Sequence, residues 1–424
     1  MQVLNFIVTQ IFQQPAIFMA LIALIGLILQ RKSFSDTLKG TLKTAIGLLI
    51  MTSAANIITN TVNPLATIFN HIYGISQVNN TGIGTNEVIT KYGSVIGIVM
   101  LGAFIINILV AKFTKLKYVW LTGHLLFWMS FVWVAVLVDA GVKGAALIVF
   151  GIILMGLYIT FMPALAQPFV RKITGGNTFA YGHTSTIGAV LGGYIGGLLG
   201  NKKNDTENIK ISDSLDFFRD VTISTGLVMT VVYLIAVLIA GPNFVEQKIS
   251  NGQNFIIYAL IQGLTFGAGI TVLLTGVRMF IAEIVPAFRG ITMKWIPNAI
   301  PALDCPMIFP YAPTAVMVGF ITSLIVGIIS IFILGFTGYP WVVLPAMIPF
   351  FFDGGPAGVF GNSTGGLRGA IIGGIIAGLI IIFGQAFVLP VVAHTITDFM
   401  RWAGDTDMVT LGSILGWILK VFGL

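Results

Sequence analysis

The sequence predicts an all-α polytopic membrane protein of about 10–11 transmembrane helices with re-entrant segments, organised as two inverted repeats. Three observations carry that class. Of 424 residues, 56% are hydrophobic and only 9% charged, with a mean hydropathy of +0.97, values that exclude a soluble globular chain, a disordered chain and a secreted disulfide scaffold. Apolar stretches of about the 20 residues that a bilayer-crossing helix needs recur along the whole sequence. Many of the 50 glycines fall where such stretches are interrupted, around His183 and Asp353.

Taken in order, clear spans lie near 15–30, 42–62, 92–111, 118–138, 145–166, 221–241, 254–280, 314–336 and 367–391. The stretches around 180–200 and 340–361 are apolar but broken by Gly and by Pro or polar residues. Such segments read as re-entrant or discontinuous helices, because broken backbone at membrane depth is tolerated only when buried in protein or lining a cavity. The last apolar run, 409–424, carries Lys420, which leaves open whether it completes an eleventh span. The N-terminus has neither the charged n-region nor the cleavage site of a leader, so none is expected.

Lys and Arg set the orientation. Arg31, Lys32, Lys39 and Lys43 follow the first span and Lys112, Lys115 and Lys117 the third; Arg171, Lys172, Lys202, Lys203, Lys210 and Arg219 follow the fifth, and Arg278, Arg289 and Lys294 the seventh. These 16 charges face 3 in the alternate loops, Lys91, Lys143 and Lys248. The positive-inside rule makes the first set cytoplasmic and the N-terminus external, provided 180–200 enters and leaves on one side. The net charge of +7 is then a topogenic signal, and no nucleic-acid partner is expected because no solvated basic face is present. The long polar loop 201–220 mixes both signs; a solvated linker and a partner-docking surface are both consistent with it. Cys305 is the only cysteine, so no intramolecular disulfide forms, and no metal site or cofactor is expected.

Five spans precede the 201–220 loop and five or six follow it, which inverts one half relative to the other. Each half has a long helix ending in a Pro-containing segment (NPLATIFNHIYG from Asn63, PAFRGITMKWIP from Pro286). A polar break follows (LTGH from Leu121, ALDCP from Ala302), then a Gly-rich polar segment (YGHTSTIGAVLGG from Tyr181, FFDGGPAGVFGN from Phe351).

Ionisable groups inside spans are costly and usually face a pathway or a partner. Asp139 and Asp398 lie at segment ends, where interfacial solvation accounts for them, and Glu283 has Arg278 and Arg289 nearby for an ion pair. Asp304 and Asp353 instead sit in the two breaks, among Pro and Gly, and Asp304 is the first candidate for a ligand contact. His71 and His394 read as interfacial polar residues. His124 in WLTGHLLFW and His183 in YGHTST each follow a Gly at a break. A neutral imidazole with one donor and one acceptor suits a polyhydroxylated ligand, although a buried His with satisfied hydrogen bonds reads equally well. Thr85, Asn86 and Glu87, in TGIGTNEVIT, are either a third ligand-binding group or a helix cap. Trp128, one helical turn after His124, is either a packing residue or a surface on which a sugar ring stacks. No nucleotide-binding, nucleophile-elbow or metalloprotease motif is present, so a membrane enzyme is disfavoured and energy for uptake comes from an ion gradient or another protein.

The stretches GVRMFIAEIVPAFRGI and IPNAIPALDCPMIFPYAPTAVMVGF, with LTGHLLF, the early RKS and LKGTLKTAIG and the YGH segment, resemble the ascorbate-type enzyme IIC, the membrane subunit of the bacterial phosphoenolpyruvate-dependent phosphotransferase system. The resemblance covers nearly the whole chain. It implies a homodimer in the bacterial cell membrane, with scaffold segments at 1–75 and 201–290 (the latter including the cytoplasmic loop) and core segments at 76–200 and 291–424. The core would slide as a rigid body in an elevator-type movement. It further implies L-ascorbate, or a related sugar acid or polyol, as substrate, and no catalysis by this chain: a separate IIB protein donates phosphate from phosphocysteine and is recharged by IIA. Carried over residue by residue, the family's substrate contacts fall on Thr85, Asn86, His124, Phe127, Trp128, His183, Thr184 and Asp304. Trp128 and Thr184 stand where well-studied members have Gln, which changes the hydrogen bonds available to a sugar. Cys305 follows Asp304 directly but reads as a packing residue, since the family's phosphocysteine belongs to IIB. A proton-coupled secondary transporter with Asp304 or Glu283 as carrier is the alternative.

Overall fold

The computed structural model describes residues 14–72, 85–209, 220–339, 347–396 and 404–422, together with Phe6, Gln10, Ile11 and Val343. The chain is dominated by helices: α1 (Pro15–Leu29), α2 (Phe34–Ile72), α3 (Thr85–Phe113), α4 (Gly123–Asp139), α5 (Gly144–Thr174), α6 (Thr186–Leu199), α7 (Val221–Ala240), α8 (Pro242–Lys248), α9 (Phe255–Lys294), α10 (Pro313–Phe336), α11 (Met347–Phe352), α12 (Gly354–Val392) and α13 (Thr406–Val421). Among the described residues six helical stretches are long and apolar enough to cross a bilayer: Phe34–Leu65, Lys91–Phe113, Gly144–Thr174, Phe255–Ile291, Pro313–Phe336 and Ile348–Val392. A seventh arises if Thr225–Ala240 and Pro242–Lys248, bent by 102°, count as one span. Ala16–Leu29, Gly123–Asp139 and Thr186–Leu199 are apolar but shorter, which accounts for most of the difference from the count expected.

Helix starts follow local chemistry. Ser33 and Asp36 form a reciprocal cap on α2, with the Asp36 amide donating to Ser33 Oγ at 3.1 Å and that hydroxyl donating to Asp36 Oδ2 at 2.8 Å. Asp220 accepts the Thr222 and Ile223 amides at the start of α7, and Asn254 accepts the Ile256 amide at the start of α9. The Pro-containing segments expected at the ends of long helices are there: α2 runs through Pro64 to Ile72 and α9 through Pro286 to Lys294. Helices α1, α2, α7 and α9 pack chiefly on one another. Gln30 at the end of α1 donates to the Pro286 carbonyl at 2.9 Å, joining α1 to α9.

Helices α3, α5, α12 and α13 pack on α4, which is buried at nearly every position and largely apolar, as an internal helix should be. The run 348–392 is two antiparallel legs. Gly366 interrupts α12 with φ 59° and ψ −151°, a left-handed conformation that a side chain disfavours, and reverses the chain. The legs and α6 then meet with almost no space between backbones: a Cβ on Gly361 would lie 2.0 Å from the Gly369 carbonyl oxygen, and one on Gly196 3.1 Å from the Cα atoms of both. The broken segments expected around 180–200 and 340–361 are therefore packed against each other.

The chain also contains a small parallel sheet, which an all-α expectation omits: β1 (Tyr118–Trp120), β2 (Ala180–Tyr181) and β3 (Ile300–Leu303), in the order β1-β3-β2. Tyr118 pairs with Ile300 and Ala180 with Ala302. Residues 118–122, expected as the start of a span, are strand and turn, and the helix begins at Gly123. The physical reason is backbone satisfaction: helix breaks at membrane depth expose N–H and C=O groups that lipid cannot bond. These breaks bond one another, the Ile300 amide donating to the Lys117 carbonyl at 2.7 Å, Leu121 to Ala302 at 2.9 Å and Gly182 to Leu303 at 2.7 Å.

Residues 201–209 are more than a solvated linker. The Asn201 amide donates to the Gly365 carbonyl, Leu367 donates to the Asn204 carbonyl, and Thr206 donates to Asn362 Oδ1. Glu207 accepts the Thr314 hydroxyl at 2.9 Å and the Ala315 amide at 3.1 Å. The strap thus joins the tip of the α12 hairpin to the first turn of α10. Residues 210–219 of the same loop lie outside the described residues.

Candidate functional site

Parallel pairing sends the C-terminal ends of all three strands to one edge, and the three leading candidates follow those ends. His124 comes four residues after β1, His183 two after β2 and Asp304 directly after β3. Helical segments begin at the same edge, α4 at Gly123, α6 at Thr186 and a 3-10 helix at Cys305, so the N-terminal amides and the positive ends of helix dipoles gather there. Asn107 on α3 satisfies the outer edge of β1, donating to the Tyr118 carbonyl at 3.1 Å and accepting the Trp120 amide at 3.0 Å. The Thr122 hydroxyl donates to the Gly182 carbonyl at 2.6 Å, fixing the turn before His124 against the turn before His183.

His124 Nε2 lies 3.6 Å from Asp304 Oδ2, and His183 Nε2 lies 3.7 Å from Asp304 Oδ1. One carboxylate therefore stands between two imidazoles brought from distant parts of the chain. Both separations exceed a hydrogen bond, so these edges keep capacity for a ligand. Asp304 Oδ1 accepts the Cys305 amide at 2.7 Å, which orients the carboxylate. His183 Nδ1 is 2.8 Å from Ser185 Oγ, and Ser185 Oγ is 2.5 Å from the Tyr181 hydroxyl. His124 Nδ1 is buried without a hydrogen-bond partner. Side-chain exposure is 37% at His124, 22% at Asp304 and 6% at His183, so the group opens on the His124 side and closes behind His183.

Behind it lies an acidic group. Asp353, the second candidate in a break, is fully buried at the start of α12 and accepts the Thr406 amide at 2.5 Å. It is joined by Asp405 and Asp407, which sequence reasoning missed: Asp-Thr-Asp before an apolar run reads as an ordinary helix start. Asp407 accepts the Tyr158 hydroxyl at 2.8 Å and the Ile187 amide at 2.6 Å. The start of α13 is thereby tied to α5 and α6.

The other candidates separate. Phe127 is buried. Trp128 is half-buried and edge-on to Phe127 and Phe131, at centroid distances of 5.3 and 5.7 Å. Thr184 is buried; its hydroxyl donates to Asp405 and its carbonyl accepts the Asp407 amide. Thr85 and Asn86 open α3, but their side chains lie outside the described residues, as does Asp398. Cys305 is buried. Glu283 pairs with Lys43 of α2 at 3.1 Å, a partner 240 positions away that the sequence did not suggest. His394 and Asp139, assigned separately to interfaces, pair with each other at 2.8 Å. His71 stacks on Phe244 at 3.5 Å.

A sequence model of the family described as the PTS system sugar-specific permease component matches residues 10–411. A curated relative, the ascorbate-specific PTS system EIIC component of Mycoplasma pneumoniae, is 23% identical over 449 aligned residues, covering 92% of this chain and 68% of the relative.

Proposed function

The chain belongs to the family of PTS sugar-specific permease components, and from that premise we propose that it carries L-ascorbate, or a closely related sugar acid or polyol, inward across the bacterial cell membrane. A separate IIB protein, recharged by IIA, phosphorylates the arriving substrate. The observation that carries this reading is the convergence of His124, His183 and Asp304 at the edge where three strands end. A carboxylate flanked by two imidazoles offers acceptors and donors within one small space, which is what adjacent hydroxyl groups require. Helix N-termini at the same edge favour the anionic form of a sugar acid. Phe127 and Trp128 supply an aromatic wall one turn beyond His124, and Thr184 replaces an amide at the rear.

The packing supports a two-part movement. Helices α1, α2, α7 and α9 form the scaffold through which two copies associate, and the helices around the sheet form a core that slides past it, with the N-terminus outside. Thr85 and Asn86 belong to the core at its entrance.

The test is the chemical state of labelled ascorbate inside vesicles, measured with and without phosphoenolpyruvate and the soluble partners. Ascorbate phosphate accumulating only when phosphoenolpyruvate and the partners are supplied is the expected result. Free ascorbate accumulating on a proton gradient, independent of phosphoenolpyruvate, would overturn the reading in favour of proton-coupled transport.

A further inference from the structure

The acidic group behind the sugar site is unevenly neutralised. Asp407 has two donors, from Tyr158 and Ile187. Asp405, only 5% exposed, accepts the Thr184 hydroxyl. Asp353 is fully buried: Oδ2 accepts the Thr406 amide, and Oδ1 has no hydrogen-bond partner. Every donor named here is neutral. A buried carboxylate oxygen without a donor is costly, and two carboxylates sharing an enclosed space repel each other. A ring nitrogen of His183 and one carboxylate oxygen each from Asp353 and Asp405 lie within 4.8 Å of one another, and all three residues are buried. The side chain that carries the unpartnered oxygen therefore belongs to a group that also contains an imidazole, a combination more informative than clustered acids.

We infer that His183, Asp353 and Asp405 form a binding site for one divalent cation of the first transition row. The two carboxylate charges match the charge of such an ion. An imidazole nitrogen with two carboxylate oxygens suits manganese, iron or zinc better than magnesium or calcium, which prefer oxygen alone. Supporting contacts of the kind that orient metal ligands are in place: Ser185 on His183 Nδ1, Thr184 on Asp405 and the Thr406 amide on Asp353. The ligands come from the start of α6, the start of α12 and the residue before α13, so the ion ties three separately threaded segments of the proposed core. His183 is also within 4.8 Å of Asp304 and Cys305 ligand atoms, and with Nδ1 on Ser185 a bound ion and a sugar hydroxyl compete for its other ring nitrogen. The ion's effect on ascorbate affinity rests on the transport assignment above; binding of the ion itself does not.

The experiment is therefore run without sugar. Full-length protein in detergent is stripped with chelator and titrated with Mn2+, free ion being followed by electron paramagnetic resonance. Uptake should saturate at about one ion per chain, with affinity at least tenfold weaker in Asp353→Asn and Asp405→Asn. Folding of both variants is checked by size exclusion. Bound Mn2+ in the unmodified protein should also show nitrogen coupling in electron spin-echo spectra, a signature of an imidazole ligand that decides the matter should neither variant fold. Failure to take up a stoichiometric ion, absence of nitrogen coupling, or unchanged affinity in both folded variants overturns the inference. Protonation alone as the means of neutralising the acids predicts the first of these. Intact Mn2+ binding with no ascorbate binding would overturn the substrate assignment and leave the cation site standing.

Discussion

Asp304→Asn tests the proposed sugar site with little disturbance of the fold. The carboxylate does two things: Oδ1 accepts the Cys305 amide at 2.7 Å, and both oxygens face imidazole nitrogens at 3.6 and 3.7 Å. Asparagine keeps one oxygen to cap the 3-10 helix at Cys305, so the backbone following β3 is retained. What disappears is the negative charge and one acceptor. A hydrogen bond from a substrate hydroxyl to a charged acceptor contributes roughly 1.5–3 kcal/mol, so ascorbate affinity should fall roughly 10- to 150-fold. His124→Ala removes a neutral group whose bond is worth about 0.5–1.5 kcal/mol, so its loss should be smaller, roughly 2- to 12-fold. Equilibrium binding of labelled ascorbate to purified protein in detergent measures both, with a monodisperse elution profile as the folding control. A folded Asp304→Asn variant with affinity within about twofold of the parent would refute the placement of substrate at this carboxylate, because the bond predicted there is worth at least tenfold.

Two structural predictions follow. In Gly361→Ala the new methyl would sit 2.0 Å from the Gly369 carbonyl oxygen, against an ordinary contact beginning at 3.4 Å, so the hairpin legs must part. Such overpacking typically costs about 1–3 kcal/mol, and thermal unfolding in detergent should shift down measurably; an unshifted transition would show that the legs are not held this close. Glu207→Ala removes the acceptor for Thr314 and Ala315, and hydrogen exchange should accelerate in 201–209 and the first turn of α10, whereas unchanged protection would mean that Glu207 does not hold the strap.

How much of this was legible depends on which solvent each segment faces. Spans such as Gly144–Thr174 and Pro313–Phe336 were readable because lipid demands long apolar runs there. The breaks at 121–124, around 180–200 and at 302–306 were readable because Gly, Pro and polar residues interrupt such runs, and they led to His124, His183 and Asp304. What the breaks become was not readable. YVWLT before Gly123 is apolar enough to pass as the first turn of a span, since a short apolar run does not distinguish strand from buried helix. Asp405 and Asp407 were missed for a related reason. Acids at a helix start need no explanation beyond capping, and only the fold shows α13 starting beside Asp353 and Thr184.

The case of β3 shows why the sheet escapes sequence reasoning and yet determines the site. Its second residue is Pro301, and a proline argues against a central strand because it cannot donate to the ladder. In this register alternate residues serve opposite neighbours: Ile300 and Ala302 bond towards β1, and Leu303 bonds towards β2. The donor missing at Pro301 points to the β2 side, yet β2 begins only at Ala180, opposite Ala302. Proline thus removes a donor where no strand is paired to receive one. With the following residues bonded on both sides, the exits of all three strands are held at one level. Two histidines and an aspartate separated by as many as 180 positions meet there because broken backbone inside a membrane has few partners except other broken backbone. The interruptions that seem to spoil the spans therefore assemble the site.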